Sequence, residues 1–493
     1  MEQADVVIVG GGLSGLSCAQ FLATKSPETS VVVLEANDYL GGRVRPVRND
    51  KLFPGKELEL GAEFIHGDST ILHQYAKEEG WKLKQIFIWA HGDGGPCEKE
   101  APDGGAGYYY VGFENKLYRF DQLDEELEKL SDELDKLGTA KNVPKMNMKQ
   151  YLYSRGVSRK GLAMAEAGYA NTLGSSLKAL SAPLTCRLES LWSMDGGDID
   201  FRFSPSSRVL LERLCRGLKD TRTGAAVTSI RKESHDRTIV EYRDVKSGER
   251  FGISARHVVV TIPIPILRLS IGVPVDSSEG IVFSPPLAAD KVRSLQQVGV
   301  RGAMKIVARV NKRFWPEDMH GMICSDCHIP ELWIAWRGNF EDADGNSLDK
   351  ENEDARNAES DYYLVVGFAM ASFHSDLSVY SEDHILGLFL DQLDQIFGTK
   401  ESPRPAHDSF EDGFVHDWSK MPFVRGGYSF PAVTETESTR ATLARSEHEG
   451  TLIFAGEATD NEQAYMTMHA AIRTGERAAK DVIFKQSENK PKL

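Results

Sequence analysis

The sequence lacks the features of a membrane, secreted or nucleic-acid-binding protein. No apolar run reaches the length of about eighteen residues that a membrane-spanning helix needs. Six cysteines in 493 residues are too scattered for a disulfide framework and favour reduced thiols inside a cell. Basic residues are outnumbered, with 58 Lys and Arg against 73 Asp and Glu. The net charge of −15 argues against nucleic acid and favours a small cationic ligand.

The two ends of the chain bear on its location. The N-terminus has neither a basic n-region nor a cleavage site, so we expect an intracellular protein without a secretory signal. The last three residues, Pro491-Lys492-Leu493, differ by one from the peroxisomal address Ser-Lys-Leu. Cytoplasmic and peroxisomal locations both stay open, and the sequence does not indicate an oligomeric state.

The most informative segment is DVVIVGGGLSGLSCAQFL, near the N-terminus. The apolar run VVIV (6–9) predicts a strand buried on both faces. Gly10, Gly12 and Gly15 follow as G-x-G-x-x-G, which allows a tight turn, close approach of a pyrophosphate and close helix packing. A second predicted strand ends in Glu35, an acid suited to hydrogen bonding with a ribose. The segment therefore predicts a dinucleotide site at a helix N-terminus.

A second glycine pair follows this acid directly. The segment ANDYLGGRVRPV contains Gly42 and Arg43, which would bring another backbone approach and a cation to the pyrophosphate. It resembles the second phosphate-binding element of flavoproteins that hold FAD in an extended form. Since NAD enzymes do not normally carry this element, FAD is the expected cofactor.

Signals of the nucleotide domain return late in the chain. HVVVTIPIPIL (257–267) and TLIFAGEATD (451–460) predict strands, and HAAIRTGERAAKDVIF (469–484) predicts a helix. We therefore expect a discontinuous α/β domain, Rossmann-like and of the glutathione-reductase type, with an α+β substrate domain on a mixed sheet inserted into it. The expected ranges are 1–75, 205–290 and 410–493 for the FAD-binding domain, and 76–204 and 291–409 for the substrate domain.

Three other segments of the inserted domain carry local signals. DQLDEELEKLSDELDKLG (121–138) has leucines at helical spacing and predicts an amphipathic helix that ends at Gly138. The acidic segment 339–361 predicts an exposed loop. CSDCH (324–328) matches a haem attachment motif and half of a zinc site, but the expectation is a hairpin turn with free thiols and no metal.

Taken together, eight segments resemble the flavin-dependent amine oxidases. This superfamily includes monoamine oxidases, polyamine oxidases and histone lysine demethylases, and LGAEFIHG looks most like spermine and other polyamine oxidases. The segments follow the family's order along nearly the whole chain: the G-x-G-x-x-G unit, GGR, ELGAEFIHG, Val227, MKIVARVNKRFWP, WSKMPFVRGGYSFP, GEATD and TMHAAIRTGER.

The resemblance implies roles for individual residues. FAD would contact residues from most of these segments, namely Gly10, Gly12, Gly15, Glu35, Gly42, Arg43, Gly61, Ala62, Val227, Trp418, Glu457, Thr467 and Met468. Thr467 and Met468 would begin a helix whose positive end faces the flavin. The implied catalytic residues are Lys305, Tyr428, His66 and Thr467, and the implied substrate contacts are Glu63, His66 and Tyr428.

Lys305 has two interpretations. In the predicted strand AMKIVARV (303–310) it shares a face with Arg309, which by itself favours a solvent-exposed charge. The resemblance instead matches Lys305 to the family lysine that holds a water at flavin N5. Glu63 also has two interpretations, because it would pair either with a substrate ammonium or with a lysine.

The resemblance implies oxidation of a C–N bond in spermine, spermidine or an N-acetyl derivative. Hydride transfer to the flavin and reoxidation by O2 would give H2O2, an aldehyde and a shorter amine. Gly427 stands where monoamine oxidases carry the cysteine that bonds the flavin, so non-covalent FAD is expected. Two alternatives stay open: an L-amino-acid or other monoamine oxidase, with Arg425 gripping a carboxylate, and a flavoprotein that serves only as a scaffold.

Overall fold

The computed structural model describes residues 1–86, 106–194, 200–271, 279–336, 362–461 and 465–488. The acidic segment 339–361 and the tripeptide 491–493 lie outside the described residues. The strands, numbered in chain order, are β1 Glu2–Val9, β2 Val31–Leu34, β3 Pro46–Arg48, β4 Glu57–Glu59, β5 Phe64–His66, β6 Lys82–Ile86, β7 Ala106–Val111, β8 Lys116–Arg119, β9 Asp200–Ser204, β10 Thr221–Arg222, β11 Ala225–Lys232, β12 Thr238–Asp244, β13 Arg250–Val260, β14 Val282–Ser284, β15 Gly299–Val300, β16 Ala303–Val310, β17 Met319–Ser325, β18 Glu331–Trp336, β19 Tyr363–Met370, β20 Phe410–Asp417, β21 Ser429–Phe430 and β22 Leu452–Phe454. The helices are α1 Leu13–Lys25, α2 Ile71–Glu79, α3 Glu125–Asp135, α4 Met148–Ser154, α5 Arg159–Ala165, α6 Ala182–Met194, α7 Arg208–Cys215, α8 Ile264–Leu269, α9 Ala289–Gln297, α10 Ala371–Leu377, α11 Glu382–Phe397, α12 Pro405–Ser409, α13 Thr439–Ala444 and α14 Met468–Glu488.

The first of two compact units contains Met1–Arg45, Ser207–Val300 and Lys420–Leu493. Its main sheet has the strand order β10-β2-β1-β13-β12-β11-β14, with β22 also paired to β13. The strands β10, β2, β1, β13 and β22 are parallel, whereas β11, β12 and β13 are antiparallel neighbours. Residues 6–9 are all buried, as expected for a parallel strand covered on both faces. The predicted Rossmann-like fold is therefore confirmed.

Helices α1 and α14 of this unit lie very close together. A methyl group at Gly475 would stand 2.1 Å from the carbonyl oxygen of Ser14. The hydroxyls of Ser14 and Thr474 are 3.3 Å apart, and Ser17 donates a hydrogen bond to the carbonyl of Ile472. The first and last helices of the unit are thus joined by small residues and hydrogen bonds close to both helix N-termini.

The second unit contains Pro46–Ser206 and Arg301–Ser419. Its main sheet is mixed and has the order β20-β16-β19-β18-β17-β7-β8, with β7 and β17 parallel. One face packs on a core that includes α11, with Phe389 and Leu393 fully buried. On the other face, the register aligns Lys305, Phe368 and Glu331 across β16, β19 and β18.

The unit boundaries differ from the expected domain ranges. The first unit ends at Arg45 and not at residue 75, because β5 pairs with β9 of the second unit. At the later boundaries, β15 pairs with β21 in the first unit and β20 pairs with β16 in the second unit. Hydrogen bonding between distant segments decides these boundaries, and sequence patterns do not reveal it.

Most predicted elements are confirmed, including β16, β22 and α14. The strand predicted over 257–267 was partly wrong, because β13 stops at Val260 and Pro263 precedes α8 as its N-cap. Helix α3 ends at Asp135 with Lys136 as its C-cap, so Gly138 is not its stop.

Cys324 lies in β17, and Cys327 lies in the turn that follows; both are free thiols. No helix in the described part of the chain has both the length and the apolar character of a bilayer span.

Candidate functional site

The loop between β1 and α1 forms a tight turn in the first unit. Gly10 has a φ of +109°, and a methyl group there would lie 2.7 Å from Oγ1 of Thr261. A methyl group at Gly15 would lie 1.9 Å from the carbonyl oxygen of Gly10. At Gly12, in contrast, the nearest atom is Cα of Gly42 at 3.9 Å. Gly10 and Gly15 are therefore required by packing, whereas the space beside Gly12 is open.

Glu35 closes this loop from the end of β2. Its carboxylate accepts a hydrogen bond from the backbone N–H of Gly11 at 2.7 Å and another from Asn37 at 2.8 Å. The residue is buried, and burial raises the pKa of Glu35. The acid predicted to bind a ribose therefore also holds the glycine loop in place.

A network around Glu457 holds the backbone on both sides of Tyr428. Arg43 donates to the carbonyl of Gly427 at 2.6 Å and pairs with Glu457 at 3.1 Å. Ser429 donates its hydroxyl hydrogen to Glu457 at 2.6 Å. Burial by itself would raise the pKa of Glu457, but Arg43 and Ser429 hold it below its usual range. Tyr428 is half-buried within this fixed segment.

The start of α14 belongs to the same network. Met466 has a φ of +76° and donates its N–H to Glu457 at 3.2 Å. The hydroxyl oxygen of Thr467 accepts a hydrogen bond from the N–H of Ala470 at 3.2 Å. Thr467 therefore caps the helix, and Met468 is its first residue.

The first unit fits the FAD that the sequence predicts. Gly12 is the N-cap of α1 and makes no side-chain cap, so the first-turn N–H groups are left to bind a phosphate. Arg43 adds a cation that is 28% exposed. Val227 is buried in β11 of the same sheet. Backbone donors, a cation and a carboxylate are the groups that a dinucleotide needs.

Lys305 is buried in the second unit and is not a solvated charge. The residue is only 4% exposed, so the solvent interpretation of the strand pattern was wrong. Its Nζ donates to the carbonyl oxygens of Glu59 at 2.7 Å and Gly61 at 3.1 Å, and to the carboxylate of Glu63 at 3.0 Å. These three acceptors match the three hydrogens of an ammonium.

The loop 60–63 is tied to the sheet at a second point. The indole N–H of Trp418 donates to the carbonyl oxygen of Leu60 at 3.0 Å. Glu63 forms an ion pair with Lys305. Of the two expected partners of Glu63, a substrate ammonium or a lysine, the structure contains the lysine. Gly61, Ala62 and Trp418 were assigned to the FAD-binding domain, but they belong to the second unit because β5 and β20 pair there.

His66 lies at the end of β5 and pairs with Asp200 at 2.7 Å. Its ring stacks on Trp192 with centroids 6.1 Å apart. The surrounding protein disfavours the charged imidazolium, but Asp200 outweighs this effect and raises the pKa of His66. The pair therefore presents a partly exposed, polar edge.

A cavity of about 80 Å³ reaches Lys305 and Glu63. Its apolar lining includes Val307 and Val366, on the same sheet face as Lys305. Arg202 contributes a charge to the wall. This cavity gives water room beside the buried ion pair.

Sequence reasoning missed two groups of functional interest. Arg440 is buried, donates to Ser429 at 2.8 Å and lies 3.4 Å from the ring centroid of Tyr465. Glu331 is buried at the start of β18. Glu331 has no local sequence signal, because Asn171 and Thr172 lie far away along the chain. Arg440 pairs with the nearby Glu435, but no motif marks that pair.

The fold, together with the glycine loop, Arg43 and Glu35, defines the class of this protein. It is a flavoprotein oxidoreductase with a Rossmann-like FAD-binding unit and a second unit on a mixed sheet. Within this class, the chain belongs to the flavin-containing amine oxidoreductase family, whose model matches residues 13–483. FAD is accordingly its cofactor.

Relatives of several kinds match most of the chain. Lysine-specific histone demethylase 1B of Mus musculus is 26% identical over 489 residues, covering 97% of this chain but 52% of its own length. The chain thus spans about half of that relative. The peroxisomal N(1)-acetyl-spermine/spermidine oxidase of Homo sapiens is 25% identical over 528 residues, covering 96% of this chain and 94% of its own. A solved putrescine oxidase structure has a TM-score of 0.74 at 20% identity, covering 98% of this chain and 99% of its own, which confirms the fold.

Proposed function

We propose that the chain is an FAD-dependent oxidase of polyamines. It would convert a spermine-like amine, O2 and water into an aldehyde, a shorter amine and H2O2. FAD, when bound, would accept a hydride from the carbon beside the reacting nitrogen and pass the electrons to O2. Because Gly427 offers no nucleophilic side chain, we expect this FAD to be non-covalent.

The observation that carries the proposal is the buried ammonium of Lys305. A lysine with 4% exposure and an ion pair to Glu63 is costly unless its charge is needed. In the family that this chain belongs to, the resemblance assigns such a lysine to the flavin N5. A fixed positive charge there would favour the reaction of the reduced cofactor with O2, and the three hydrogen bonds to Glu59, Gly61 and Glu63 would hold that charge in place.

The other residues would bind and orient the amine. Tyr428, held on both sides by the Arg43–Glu457 network, would hold the neutral amine against the flavin. Only a neutral amine has the lone pair that can expel a hydride. The N-terminus of α14, at Thr467 and Met468, would stabilise negative charge on the flavin. His66 with Asp200 would contact a distal polar group of the substrate.

Polyamines are favoured as substrates by sequence similarity and by charge. The segment LGAEFIHG resembles polyamine oxidases, and the human relative that matches along 94% of its length is named for acetylated spermine and spermidine. The net charge of −15 would attract a polycation.

An L-amino-acid oxidase is disfavoured by the contacts of Arg425. Such an enzyme needs a cation to grip the α-carboxylate, and Arg425 was the candidate. Its guanidinium is bidentate to Glu279, with Nε at 3.0 Å from that carboxylate. The carboxylate raises the pKa of Arg425 and occupies the donors that a substrate would use.

The test is anaerobic bleaching of the flavin by a panel of amines. We expect spermine or N-acetylspermine to bleach the visible absorbance of the oxidised flavin faster than monoamines or L-amino acids do, and air to restore that absorbance with H2O2 formation. Fastest bleaching by an L-amino acid would replace the proposal with the alternative. A holoenzyme that no amine bleaches would favour the scaffold.

A further inference from the structure

The ammonium of Lys305 uses all of its hydrogens within the second unit. They are donated to the carbonyl oxygens of Glu59 and Gly61 and to the carboxylate of Glu63, at 2.7, 3.1 and 3.0 Å. Since a lysine has three donors and no acceptor, no N–H group is left to hold a water at a flavin. Lys305 therefore acts on a nearby cofactor through its positive charge and not through a further hydrogen bond.

Burial disfavours the charged form of this lysine. Lys305 is 4% exposed, and the sheet face beside it carries the apolar side chains of Val307 and Val366. The ring of Trp333, whose centroid is 5.3 Å from Nζ, and the two carbonyl oxygens stabilise an ammonium. They supply only partial charges, and a buried lysine loses its proton readily unless an anion compensates it.

Glu63 supplies that anion. Its carboxylate lies 3.0 Å from Nζ of Lys305, and its side chain is 9% exposed. Among the described residues, Glu63 is the acid whose side chain is hydrogen-bonded to this ammonium. Because salt and solvent screen a buried pair much less than an exposed one, the carboxylate acts on Lys305 at nearly full strength.

The other charged or titratable side chains around Lys305 are nearly balanced in sign. They lie on the cavity wall and on the neighbouring strand β20, and they are Lys56, Glu57, Glu59, Lys84, Arg202 and His416. Glu331 follows one strand beyond Phe368 in the same row. Since cations and acids occur together in this set, it does not replace the direct contact with Glu63.

The cavity beside the ion pair provides a route for proton exchange. Its volume is about 80 Å³ and it reaches both Lys305 and Glu63. A water molecule needs about 10 to 15 Å³ of such space, so a few waters fit. The charge of Lys305 therefore follows the pH, and its strength of proton binding decides whether it stays charged.

We propose that Glu63 is the positioning residue that keeps Lys305 protonated, and that Lys305 favours the reaction with O2 through this charge alone. The inference rests on the proposed function, which puts Lys305 beside the flavin, and it assigns Glu63 a role in the same step. Without the carboxylate, the buried ammonium passes its proton to water as the pH rises. The neutral amine that remains has no charge to favour electron transfer to O2.

The experiment measures reoxidation of the holoenzyme by O2 between about pH 6 and pH 9, after its flavin has been reduced with stoichiometric dithionite. This measurement needs no amine. The variant Glu63→Gln keeps an acceptor for Nζ but removes the charge. We expect it to reoxidise no more slowly than the wild type at pH 6. Above the pH at which Lys305 loses its proton, the ratio of the two rates should fall by about tenfold per pH unit, toward the rate of Lys305→Met.

The stability of the full-length apoprotein gives a readout that needs neither flavin nor turnover. In Glu63→Gln, the folded chain binds the proton of Lys305 less tightly than the unfolded chain does, so stability rises with pH. Its midpoint of urea unfolding should therefore rise with pH relative to that of Lys305→Met/Glu63→Gln, which has no lysine to titrate at this position. A Glu63→Gln protein too unstable to purify at pH 7 should be recoverable at pH 9.

Two matched variants separate charge from shape. Glu63→Asp keeps the carboxylate and is expected to keep the pH dependence of the wild type, even if it lowers the stability. Glu57→Gln makes the same chemical change at a glutamate on the wall of the same cavity, which accepts a hydrogen bond from Ser206 at 2.7 Å. It should leave both measurements as in the wild type.

A rate ratio and a midpoint difference that both stay constant with pH would overturn the inference, because Lys305 would then keep its proton without Glu63. A holoenzyme that no amine bleaches, but whose reoxidation depends on Glu63 as expected, would retain the inference and refute the proposed function. Oxidation of amines with a constant rate ratio would have the opposite meaning.

Discussion

Nζ of Lys305 and the carboxylate of Glu63 form a buried ion pair at 3.0 Å, with side chains only 5% and 9% exposed. Removing one partner of such a pair leaves an uncompensated charge, which costs more than removing both. The pair therefore links the stability of the second unit to a residue with a proposed catalytic role.

The single variant Lys305→Met is expected to lose about 3 to 5 kcal/mol of unfolding free energy, because Glu63 stays buried without its cation. The rate at which O2 reoxidises the reduced flavin should fall by at least about 100-fold, which is the scale of one lost electrostatic contact. Denaturant unfolding and the rate of flavin reoxidation measure the two effects separately.

The double variant Lys305→Met/Glu63→Gln is the matched control. It should recover most of the stability but none of the activity. A double variant with wild-type turnover would remove Lys305 from the mechanism, and one no more stable than Lys305→Met would show that the ion pair is not the source of the loss.

Gly15→Ala and Gly12→Ala should have different consequences, although both lie in the same motif. A methyl group at Gly15 collides with the backbone of Gly10 at 1.9 Å, so we expect a protein that folds poorly. At Gly12 the nearest atom is 3.9 Å away, so this variant should fold with unchanged unfolding temperature as apoprotein and retain less FAD. Flavin content per chain and calorimetry of the apoprotein test both statements. Normal flavin content in Gly12→Ala would contradict the phosphate-binding role of this turn.

Local patterns predicted the first unit well. The glycine spacing, the buried apolar run 6–9 and the acid at the end of β2 all depend on residues that are close in sequence. The fold of the whole chain followed from the resemblance of many such segments in order. The boundaries between the two units could not be predicted in this way, since the pairing of β5 with β9 joins residues more than a hundred positions apart.

Lys305 shows where local reasoning fails. Alternation within β16 places it opposite the core cluster, and nothing in eight residues reveals that the loop 59–63 covers that face. Glu331 and Arg440 are harder still, because buried polar residues are recognised only by their partners. Such residues break the usual hydrophobic pattern at positions where function or charge pairing compensates.

Denaturation should release the flavin completely. Gly427, the residue before Tyr428, has no thiol that could bond the flavin. Its only polar groups are those of the backbone, and its carbonyl oxygen accepts a hydrogen bond from Arg43. After acid precipitation, we expect all of the yellow absorbance in the supernatant and a protein mass equal to that of the sequence. Flavin that remains with the pellet would mean that another side chain forms a covalent bond to it.

The stability of the protein should depend on pH through Glu331. Its pKa is about 7 in the folded protein, against an ordinary value of 4.5, so the folded state holds this proton more tightly than the unfolded state. Its stabilising contribution is therefore full below about pH 4.5 and is lost as the pH rises through about 7. Glu331→Gln has no such proton to lose.

The stability difference between Glu331→Gln and the wild type should accordingly move in favour of the variant by up to about 3 kcal/mol between pH 4.5 and pH 8. Parallel denaturant titrations at several pH values measure it, with Glu63→Gln as a comparison. A difference that is constant with pH would mean that Glu331 is ionised throughout this range. In that case the charge of Glu331 would be compensated within the protein, where His66 is the nearby group that favours its ionised form.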